Sequence, residues 1–338
     1  MKYTVGSLFA GIGGVCYGFR QAGFQPEWAN ELDVNACKTY RHNFKHKLLE
    51  KDISLIVDPK SELGYVDVIT SGFPCQAFSL AGLKKGFDDP RGNMFFETAK
   101  IINELRPKAF LLENVTNLIS HDNYKTLNVI KNVITNELNY SYCPFIMSSS
   151  EHGNIPQSRK RLFIVGFRDE GDQIRSLENE DKDDLFINKE TRTGQFLPPL
   201  RKRKLTRKIT ELIDYSAIDD SLFYKKNHKY YKELSKKVTS ENSIYQWRRV
   251  YVRENKSNLC PTLTANMGTG GHNVPIIRVP EGIRKLTPLE CSKFQGFPKS
   301  FSFSPSISKA SAYKQIGNSV TVTIIKKIAL EIKKSLNY

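Results

Sequence analysis

The sequence predicts an α/β protein with a doubly wound, mostly parallel β-sheet and a second, smaller and irregular β-rich domain. Strand-like and helical segments alternate through the first half of the 338-residue chain. A glycine-rich turn joins the first strand to the first helix, and an acidic stretch separates this half from a basic region. The alternation indicates the parallel sheet, and the change of composition indicates the second domain.

The first domain is predicted from short apolar runs that have the length of buried strands. These runs lie at residues 3–10, 66–70, 109–113 and 162–166. The turn Gly11–Gly14 follows the first run and leads into a helix that ends near Ala22, and residues 94–105 show helical spacing. Apolar residues at helical spacing from Val320 to Ser335 predict a last helix, which we expect to pack on the first domain.

A change of composition marks the predicted domain boundary. Residues 171–190 are acidic and polar, and Pro198 and Pro199 precede the basic block. We therefore divide the chain into a first domain of residues 1–185 plus 308–338 and a second domain of residues 186–307. Short β-type runs in the second domain are expected at residues 249–253 and 274–279.

The net charge of +16 comes from 51 Lys and Arg against 35 Asp and Glu. Residues 201–260 hold 16 of the basic and seven of the acidic residues, so more than half of the excess lies in sixty residues. Such clustering favours phosphate groups of a polyanion as the partner. A solvated lysine-rich surface would have the same composition, and charge alone does not separate the two.

Several classes of protein are disfavoured by composition. The six cysteines contain no Cys-x-x-Cys pair, which argues against a zinc site or a disulfide framework. His42 and His46 have no third metal ligand nearby, so we expect no metal. The sequence shows neither a signal peptide nor an apolar run of about 18 residues, so we expect a cytoplasmic protein without a membrane partner.

The turn Phe9–Gly13 lies at the carboxyl end of the first strand, where a backbone can approach a nucleotide-bearing cofactor. A dinucleotide fingerprint would need glycine or alanine where Cys16 stands, so the turn favours a smaller adenosyl ligand. Glu31, at the end of the second strand, is placed to bind ribose hydroxyls. Asp52 could accept a hydrogen bond from an adenine amino group, although both acids could also be surface carboxylates.

Cys75 is the candidate nucleophile, because Gly72–Pro74 puts its thiol on a stiff turn at the carboxyl edge of the sheet. A buried structural cysteine is the alternative reading of such a residue taken at random. The segment from Ser79 to Gly92 has the glycines, serine and lysines of a lid that closes on phosphates, although an ordinary surface loop would look similar.

Charged residues at the ends of the third and fourth strands complete the candidate site. Glu113 ends the third strand at the same edge as Cys75 and could donate a proton. The segment of residues 157–161 precedes the fourth strand, and alternation places Gln157, Arg159 and Arg161 on one face. The two guanidinium groups could hold a base oxygen, a phosphate or Glu113.

The motifs together resemble the DNA (cytosine-5) methyltransferases, of the bacterial restriction-modification type. They occur in the family's order as Phe9-Ala10-Gly11-Ile12-Gly13-Gly14, Gly72-Phe73-Pro74-Cys75-Gln76, Glu113-Asn114-Val115, Gln157-x-Arg159-x-Arg161 and Gln315-Ile316-Gly317-Asn318-Ser319-Val320. The resemblance spans residues 4–170 and about 260–330, and the interval of about 190–258 carries no assignable motif. Leu289 stands where the family usually has arginine, which puts the hinge contacts there in doubt.

The resemblance implies a Rossmann-like, class I S-adenosylmethionine-dependent methyltransferase fold and attack of a cysteine on C6 of a flipped cytosine. The cofactor would be S-adenosyl-L-methionine, converted to S-adenosyl-L-homocysteine, and the substrate double-stranded DNA. The implied catalytic residues are Cys75, Glu113, Arg159 and Arg161. Cofactor contacts are expected from Phe9, Gly11, Ile12, Gly13, Glu31, Asp52, Ile53, Pro74 and Asn318. DNA contacts are expected from Gln76, Ser79, Gln157, Arg248, Arg249 and Thr262, and Gln246 is a further candidate base reader.

Alternatives share parts of this pattern. A transfer-RNA cytosine methyltransferase of the same family would have the same catalytic residues, and only the long basic insertion before Thr262 argues against it. A catalytically dead DNA-binding module or a nicotinamide dehydrogenase could use the same sheet. The pair of Cys75 and Glu113 argues against the first, and the missing third glycine argues against the second. We expect a monomer that works alongside a restriction endonuclease.

Overall fold

Strands and helices alternate through the first 168 residues of the computed structural model, which describes residues 2–74, 94–168, 196–216, 219–248, 250–269 and 273–337. The strands are β1 (Thr4–Leu8), β2 (Gln25–Glu31), β3 (Lys47–Glu50), β4 (Val68–Ser71), β5 (Ala109–Val115), β6 (Cys143–Ser148), β7 (Gln157–Ser158), β8 (Lys160–Phe167), β9 (Tyr245–Arg248), β10 (Tyr251–Glu254), β11 (Cys260–Pro261), β12 (Ile276–Val279) and β13 (Gly282–Lys285). The helices are α1 (Gly14–Gln21), α2 (Val34–Asn43), α3 (Pro59–Glu62), α4 (Met94–Leu105), α5 (Lys125–Asn132), α6 (Ser149–Gly153), α7 (Tyr231–Lys237), α8 (Pro288–Lys293), α9 (Lys309–Asn318) and α10 (Val322–Leu336).

The large sheet has seven strands in the order β3-β2-β1-β4-β5-β8-β6. Neighbouring strands from β3 to β5 pair in parallel, whereas β8 runs antiparallel to both β5 and β6. The predicted α/β class with a mostly parallel sheet is therefore confirmed. The strand order reverses between β1 and β4, which is where ligands bind in open α/β sheets.

Both faces of the large sheet are covered by helices. On one face, Phe95 and Ile102 of α4 pack in the same apolar cluster as Ile69 and Phe110 of the sheet. On the other face, α1 and α10 pack so closely that a Cβ at Gly18 would lie 2.5 Å from the Ile325 side chain. The predicted last helix is confirmed, and it packs on the first domain as expected.

The second domain contains a four-stranded antiparallel sheet in the order β10-β9-β12-β13. Its own core includes Leu234 of α7 together with Trp247, Val252 and Ile276 of the sheet. Both β-type runs predicted for this region are confirmed as β10 and β12, and β9 and β13 complete the sheet.

Apolar packing continues from one domain to the other. The Tyr17 ring of α1 lies 5.8 Å from the Phe297 ring, and a single cluster joins residues of α1 and α2 to residues from 209 to 322. Phe196, near the start of the second domain, packs on Phe145 and Phe167 of the large sheet. These contacts cross the domain limits that we placed at residues 185, 186, 307 and 308. The limits therefore stay a prediction.

A two-stranded parallel pair of β7 and β11 ties the domains together beside the sheet edge. Cys260 pairs with Gln157 and Pro261 pairs with Ser158. Because β7 runs directly into β8, this pair fixes the second domain relative to the carboxyl ends of β1, β4 and β5.

Candidate active site

A cavity of about 380 Å³ opens at the carboxyl edge of the large sheet, beside the reversal between β1 and β4. It is lined by nine of the predicted site residues, which are Phe9, Gly11, Ile12, Glu31, Pro74, Glu113, Arg159, Arg161 and Asn318. They come from the loops after β1 and β4, from the carboxyl-terminal parts of β2 and β5, from the start of β8 and the residue before it, and from the end of α9. The fold thus brings together residues that are more than 300 positions apart in the sequence.

The loop after β1 is bent by three residues with left-handed backbone conformations. Phe9, Gly11 and Gly13 have φ angles of 52°, 56° and 84°. A Cβ at Gly11 would meet nothing within 4 Å, whereas one at Gly13 would lie 2.2 Å from the Phe44 ring. Gly13 is thus needed for packing, and Phe9 holds a conformation that costs on the order of 1–3 kcal/mol for a side-chain-bearing residue.

The Glu31 carboxylate is fixed by backbone amides at the end of β2. Its Oε2 accepts a hydrogen bond from the Gly11 amide at 2.7 Å, and its Oε1 accepts from the Leu32 and Asp33 amides, both at 2.9 Å. A carboxylate has about four acceptor positions, so one remains for a ligand hydroxyl in the cavity. This arrangement fits the ribose of an adenosyl cofactor.

Asp52 and Ile53 lie just beyond β3, outside the set of residues that line the cavity. Asp52 Oδ1 accepts hydrogen bonds from the backbone amide and the hydroxyl of Ser54, at 2.9 and 2.8 Å, and so caps a short turn. The Ile53 side chain is buried in the core. Their cofactor contacts stay predictions, as does that of Gly13.

Glu113 and Arg161 face each other at the end of β5. Glu113 Oε1 lies 3.1 Å from Arg161 Nε, and both side chains are less than one-fifth exposed. Asn114, the next residue, donates from Nδ2 to the Phe73 carbonyl at 3.0 Å. The turn Gly72–Pro74 is therefore fastened to the strand that carries Glu113, and Pro74 itself lines the cavity.

Arg159 is a buried cation in the cavity wall, with 3% of its surface exposed. Its Nη1 donates to the Leu263 carbonyl at 2.9 Å, and its Nη2 donates to the Ser319 carbonyl. Its Nε has no partner among the described residues. Burial lowers the pKa of Arg159, but a guanidinium remains charged at neutral pH. The Nε–H group is thus a buried, unpaired donor in the wall of the cavity.

The position of Gln157 differs from the one expected for a DNA contact. Its side chain is fully buried, Nε2 donates to the Phe294 carbonyl at 2.5 Å, and Oε1 accepts from the Leu263 amide at 3.3 Å. The amide is used by the protein's own backbone, so the role we assign to Gln157 is to hold the two domains together. Thr262 donates its hydroxyl to the Ser158 carbonyl, and together with Arg248 it lines a second cavity between the domains.

Four of the predicted residues, Cys75, Gln76, Ser79 and Arg249, lie outside the described residues. Among those that are described, no group of three or more His, Cys, Asp and Glu side chains is placed to hold a metal ion. Within the same ranges, no helix is both long and apolar enough to cross a membrane.

An ion pair that no sequence motif indicated flanks the cavity. Lys314 of α9 lies 2.9 Å from Asp33, and both residues line the cavity. Although partial burial raises the pKa of Asp33, Lys314 and the first amides of α2 hold it below its ordinary value. Asp33 could have been recognised as the N-cap of α2, because its Oδ1 accepts from the Asn35 and Ala36 amides. Its partner Lys314 had no local signal.

The fold and this cavity define a methyltransferase of the class I type. A model of the family described as C-5 cytosine-specific DNA methylase matches residues 3–334, so the chain belongs to that family. Its members transfer a methyl group from S-adenosylmethionine to carbon 5 of cytosine in DNA, and this chain is such an enzyme. The resemblance inferred from the sequence motifs is confirmed.

Similar proteins agree with this assignment. The chain is 45% identical to the type II methyltransferase M.Bsp6I of Bacillus sp. (strain RFL6), over 98% of this chain and 99% of that protein. It is 34% identical to M.HhaI of Haemophilus parahaemolyticus, over 98% and 94% of the two chains. A DNMT2 mutant of Spodoptera frugiperda has a TM-score of 0.70 at 21% identity, with full coverage of both chains, and supports the fold alone.

Proposed function

We propose that this enzyme methylates one cytosine in a specific double-stranded DNA site through a covalent adduct between Cys75 and C6. The observation that carries the proposal is the convergence of Glu113, Arg159, Arg161 and Glu31 on one cavity, next to Pro74. The target carbon of a stacked cytosine is out of reach, so the base must be flipped into this cavity at a cost of a few kcal/mol.

Chemistry at C5 requires activation of the ring, because this carbon is a weak nucleophile until C6 is attacked. The Cys75 thiolate would form a bond to C6 while Glu113 protonates or hydrogen-bonds N3, which raises the electron density at C5. Arg161 would keep Glu113 oriented, and the free Nε of Arg159 would donate to the base oxygen. Loss of the C5 proton and elimination of the thiolate complete the reaction.

Cys75 is favoured as the nucleophile by the state of the other thiols. The remaining five cysteines are all buried. Burial raises the pKa of Cys37 and of Cys143 to about 12, and raises those of Cys260 and Cys291 well above the ordinary value. Thiols of this kind carry almost no thiolate at neutral pH and are poor nucleophiles.

The cavity walls fit S-adenosylmethionine, which supplies the methyl group when bound. Glu31 offers an ordered carboxylate to the ribose hydroxyls, and the open space beside Gly11 admits the cofactor close to the backbone. Phe9 lines the wall and offers a ring to the adenine. All of these groups come from one chain, so we expect a monomer to be active.

We infer a restriction-modification setting from relatives named as type II methyltransferases. Methylation of the host's own sites would protect them from a restriction endonuclease with the same specificity. Residues 186–307 would form the target-recognition domain. Its basic residues would bind phosphates while a few side chains read base edges.

The test is methyl transfer from labelled S-adenosylmethionine to unmethylated duplex DNA, with bisulfite sequencing of the product. We expect transfer by the wild type and by Cys143→Ala, whose thiol is buried, and none by Cys75→Ser. Transfer by Cys75→Ser at the wild-type rate would disprove the nucleophile. Transfer to transcribed tRNA but not to DNA would favour the RNA alternative instead.

A further inference from the structure

A second cavity of about 380 Å³ lies between the two domains and has polar walls. The polar side chains in these walls include Gln246, Arg248, Arg253, Asn255, Thr262 and Asn273. Four of them offer amide or hydroxyl groups and two are arginines. Such a set suits a ligand with many hydrogen-bonding groups at its edges.

The β9–β10 hairpin presents a polar face to this cavity. In the β9–β10 hairpin, Arg253 pairs with Gln246, and Val252 pairs with Trp247. Trp247 and Val252 point into the core of the second domain, where each is 8% exposed. Because side chains alternate along a strand, Gln246, Arg248 and Arg253 share the opposite face. This two-stranded ribbon therefore buries Trp247 and Val252 on one face and carries Gln246, Arg248 and Arg253 on the other.

The second cavity adjoins the active site through a single short segment. Ser158 lines the second cavity, and its neighbour Arg159 lines the first. The pairing of Pro261 with Ser158 and the hydrogen bond from Thr262 to the Ser158 carbonyl fix this wall. A duplex with one base in the first cavity would bring neighbouring base pairs to the second.

Arg248 and Arg253 are the two described arginines of the β9–β10 ribbon. Among the described residues, no carboxylate lies within ion-pair distance of Arg248 or Arg253, whereas Arg161 and Arg284 each have one. Both ribbon arginines are exposed. Their donors are thus available to DNA without first breaking an ion pair.

We propose that Arg253 reads a guanine next to the target cytosine in the major groove, an inference that rests on the proposed function. A guanidinium is a fork of donors, and only guanine offers two acceptors, O6 and N7, on its major-groove edge. A two-stranded ribbon fits this groove. Arg253 is preferred to Arg248 because of its position in the hairpin. It pairs with the half-buried Gln246, whereas Arg248 lies near the hairpin tip at Val250.

The experiment replaces one guanine at a time by 7-deazaguanine, in a duplex that carries the site mapped by bisulfite sequencing. This change removes the N7 acceptor and keeps the base pair. Binding of the full-length protein is measured by fluorescence anisotropy at fixed salt. We expect the wild type to lose affinity about tenfold or more at one guanine, as for loss of a bidentate contact.

The Arg253→Ala and Arg253→Gln variants should bind the natural duplex more weakly and be insensitive to 7-deazaguanine at that one position. Gln keeps a polar side chain, so it guards against a folding defect in the Ala variant. The matched control is Arg207→Ala, which removes an exposed arginine outside the cavity. It should weaken binding to the natural and modified duplexes by the same factor, as a phosphate contact would.

Two results would overturn the inference. If both Arg253 variants keep the wild-type sensitivity at every guanine, Arg253 does not read N7. If the wild type shows no sensitive guanine, no such contact exists in the site. A wild type that neither methylates nor binds duplex DNA would instead reject the proposed function, and this inference with it.

Discussion

Glu31 and Asn114 are held by backbone groups, and each in turn fixes a part of the cavity wall. Glu31 accepts from three amides of two different loops, and Asn114 donates to the turn that leads to Cys75. Backbone partners move less than side chains do, so these two residues give the site its preorganised geometry. Each can be tested separately.

We predict that Glu31→Gln weakens cofactor binding by about ten- to hundredfold, the effect of losing a hydrogen bond to a charged group. The side-chain NH₂ of Gln would also face backbone N–H groups, which are donors and cannot accept a hydrogen bond from it. Isothermal titration with S-adenosyl-L-homocysteine measures the change. The control is Glu27→Gln, four residues earlier on β2 and outside the cavity, which should bind like the wild type. Equal affinities for all three proteins would contradict the role of Glu31.

We predict that Asn114→Asp slows methyl transfer at least tenfold and leaves cofactor affinity within about twofold. The carboxylate can still accept from the Val115 amide but repels the Phe73 carbonyl, to which Asn114 now donates. A displacement of about 1 Å at the nucleophile can cost a hundredfold in rate. Single-turnover kinetics measures the effect, with the exposed Asn136→Asp as control. An unchanged rate would show that this hydrogen bond does not position the turn.

Helix α8 shows how a buried ion pair and a capping box fix an element within the second domain. Its N-cap Thr287 and Glu290 form a capping box, and Glu290 also pairs with Arg284 through two bonds of 2.8 Å. Both charged side chains are 1% exposed. Leu289, where arginine is usual in the family, is 47% exposed and lies outside this network. Arg284, Thr287 and Glu290 form their network without Leu289, and the hinge contacts expected at that position stay a prediction.

We predict that Glu290→Gln lowers the free energy of unfolding by about 3–5 kcal/mol, because it leaves the Arg284 charge buried without a counter-ion. Denaturation by guanidinium chloride measures this. Glu281→Gln, an exposed change nearby, should stay within about 0.5 kcal/mol of the wild type. The double change Arg284→Met with Glu290→Leu should recover part of the loss, and a Glu290→Gln protein as stable as the wild type would argue against the ion pair.

At the scale of the whole molecule, the segment from residue 196 to residue 208 of the second domain packs along α6 of the first domain. His152 holds it, since Nε2 lies 3.2 Å from the Leu200 carbonyl while Nδ1 accepts from the Ser148 amide at 2.9 Å. The side chain is 5% exposed, and burial lowers the pKa of His152, which outweighs the carbonyl contacts and Glu151 that raise it. The neutral imidazole is therefore the form that fits.

We predict that stability falls as the pH falls below about 6.5, the ordinary pKa of histidine in the unfolded chain. Because the pKa of His152 is lower in the folded state, its contribution is full above that pH and is lost as the pH falls through the folded value. The slope is at most about 1.4 kcal/mol per pH unit. His152→Gln should flatten the dependence of the melting temperature on pH between 7.5 and 5.5. The control His42→Gln, an exposed change, should not, and identical slopes for all three would rule out His152 as the cause.

The sequence itself determined the class of fold and the side of the sheet that carries the site. Buried runs such as residues 66–70 and 109–113 have strand length and composition, and residues that follow parallel strands meet at one edge. Glu31, Glu113 and Pro74, which end or follow three of these strands, line one cavity at that edge. The sequence also contains the motifs that identify the family.

Only the tertiary structure decided which side chains are used by the protein itself and which are left for ligands. Gln157 and Arg159 belong to the same motif. The Gln157 amide is hydrogen-bonded to residues more than a hundred positions away, whereas Arg159 Nε has no partner among the described residues. Likewise, Lys314 reaches Asp33 across 281 positions. Such pairings depend on how distant segments pack, and local sequence patterns carry no information about partners brought together by the fold.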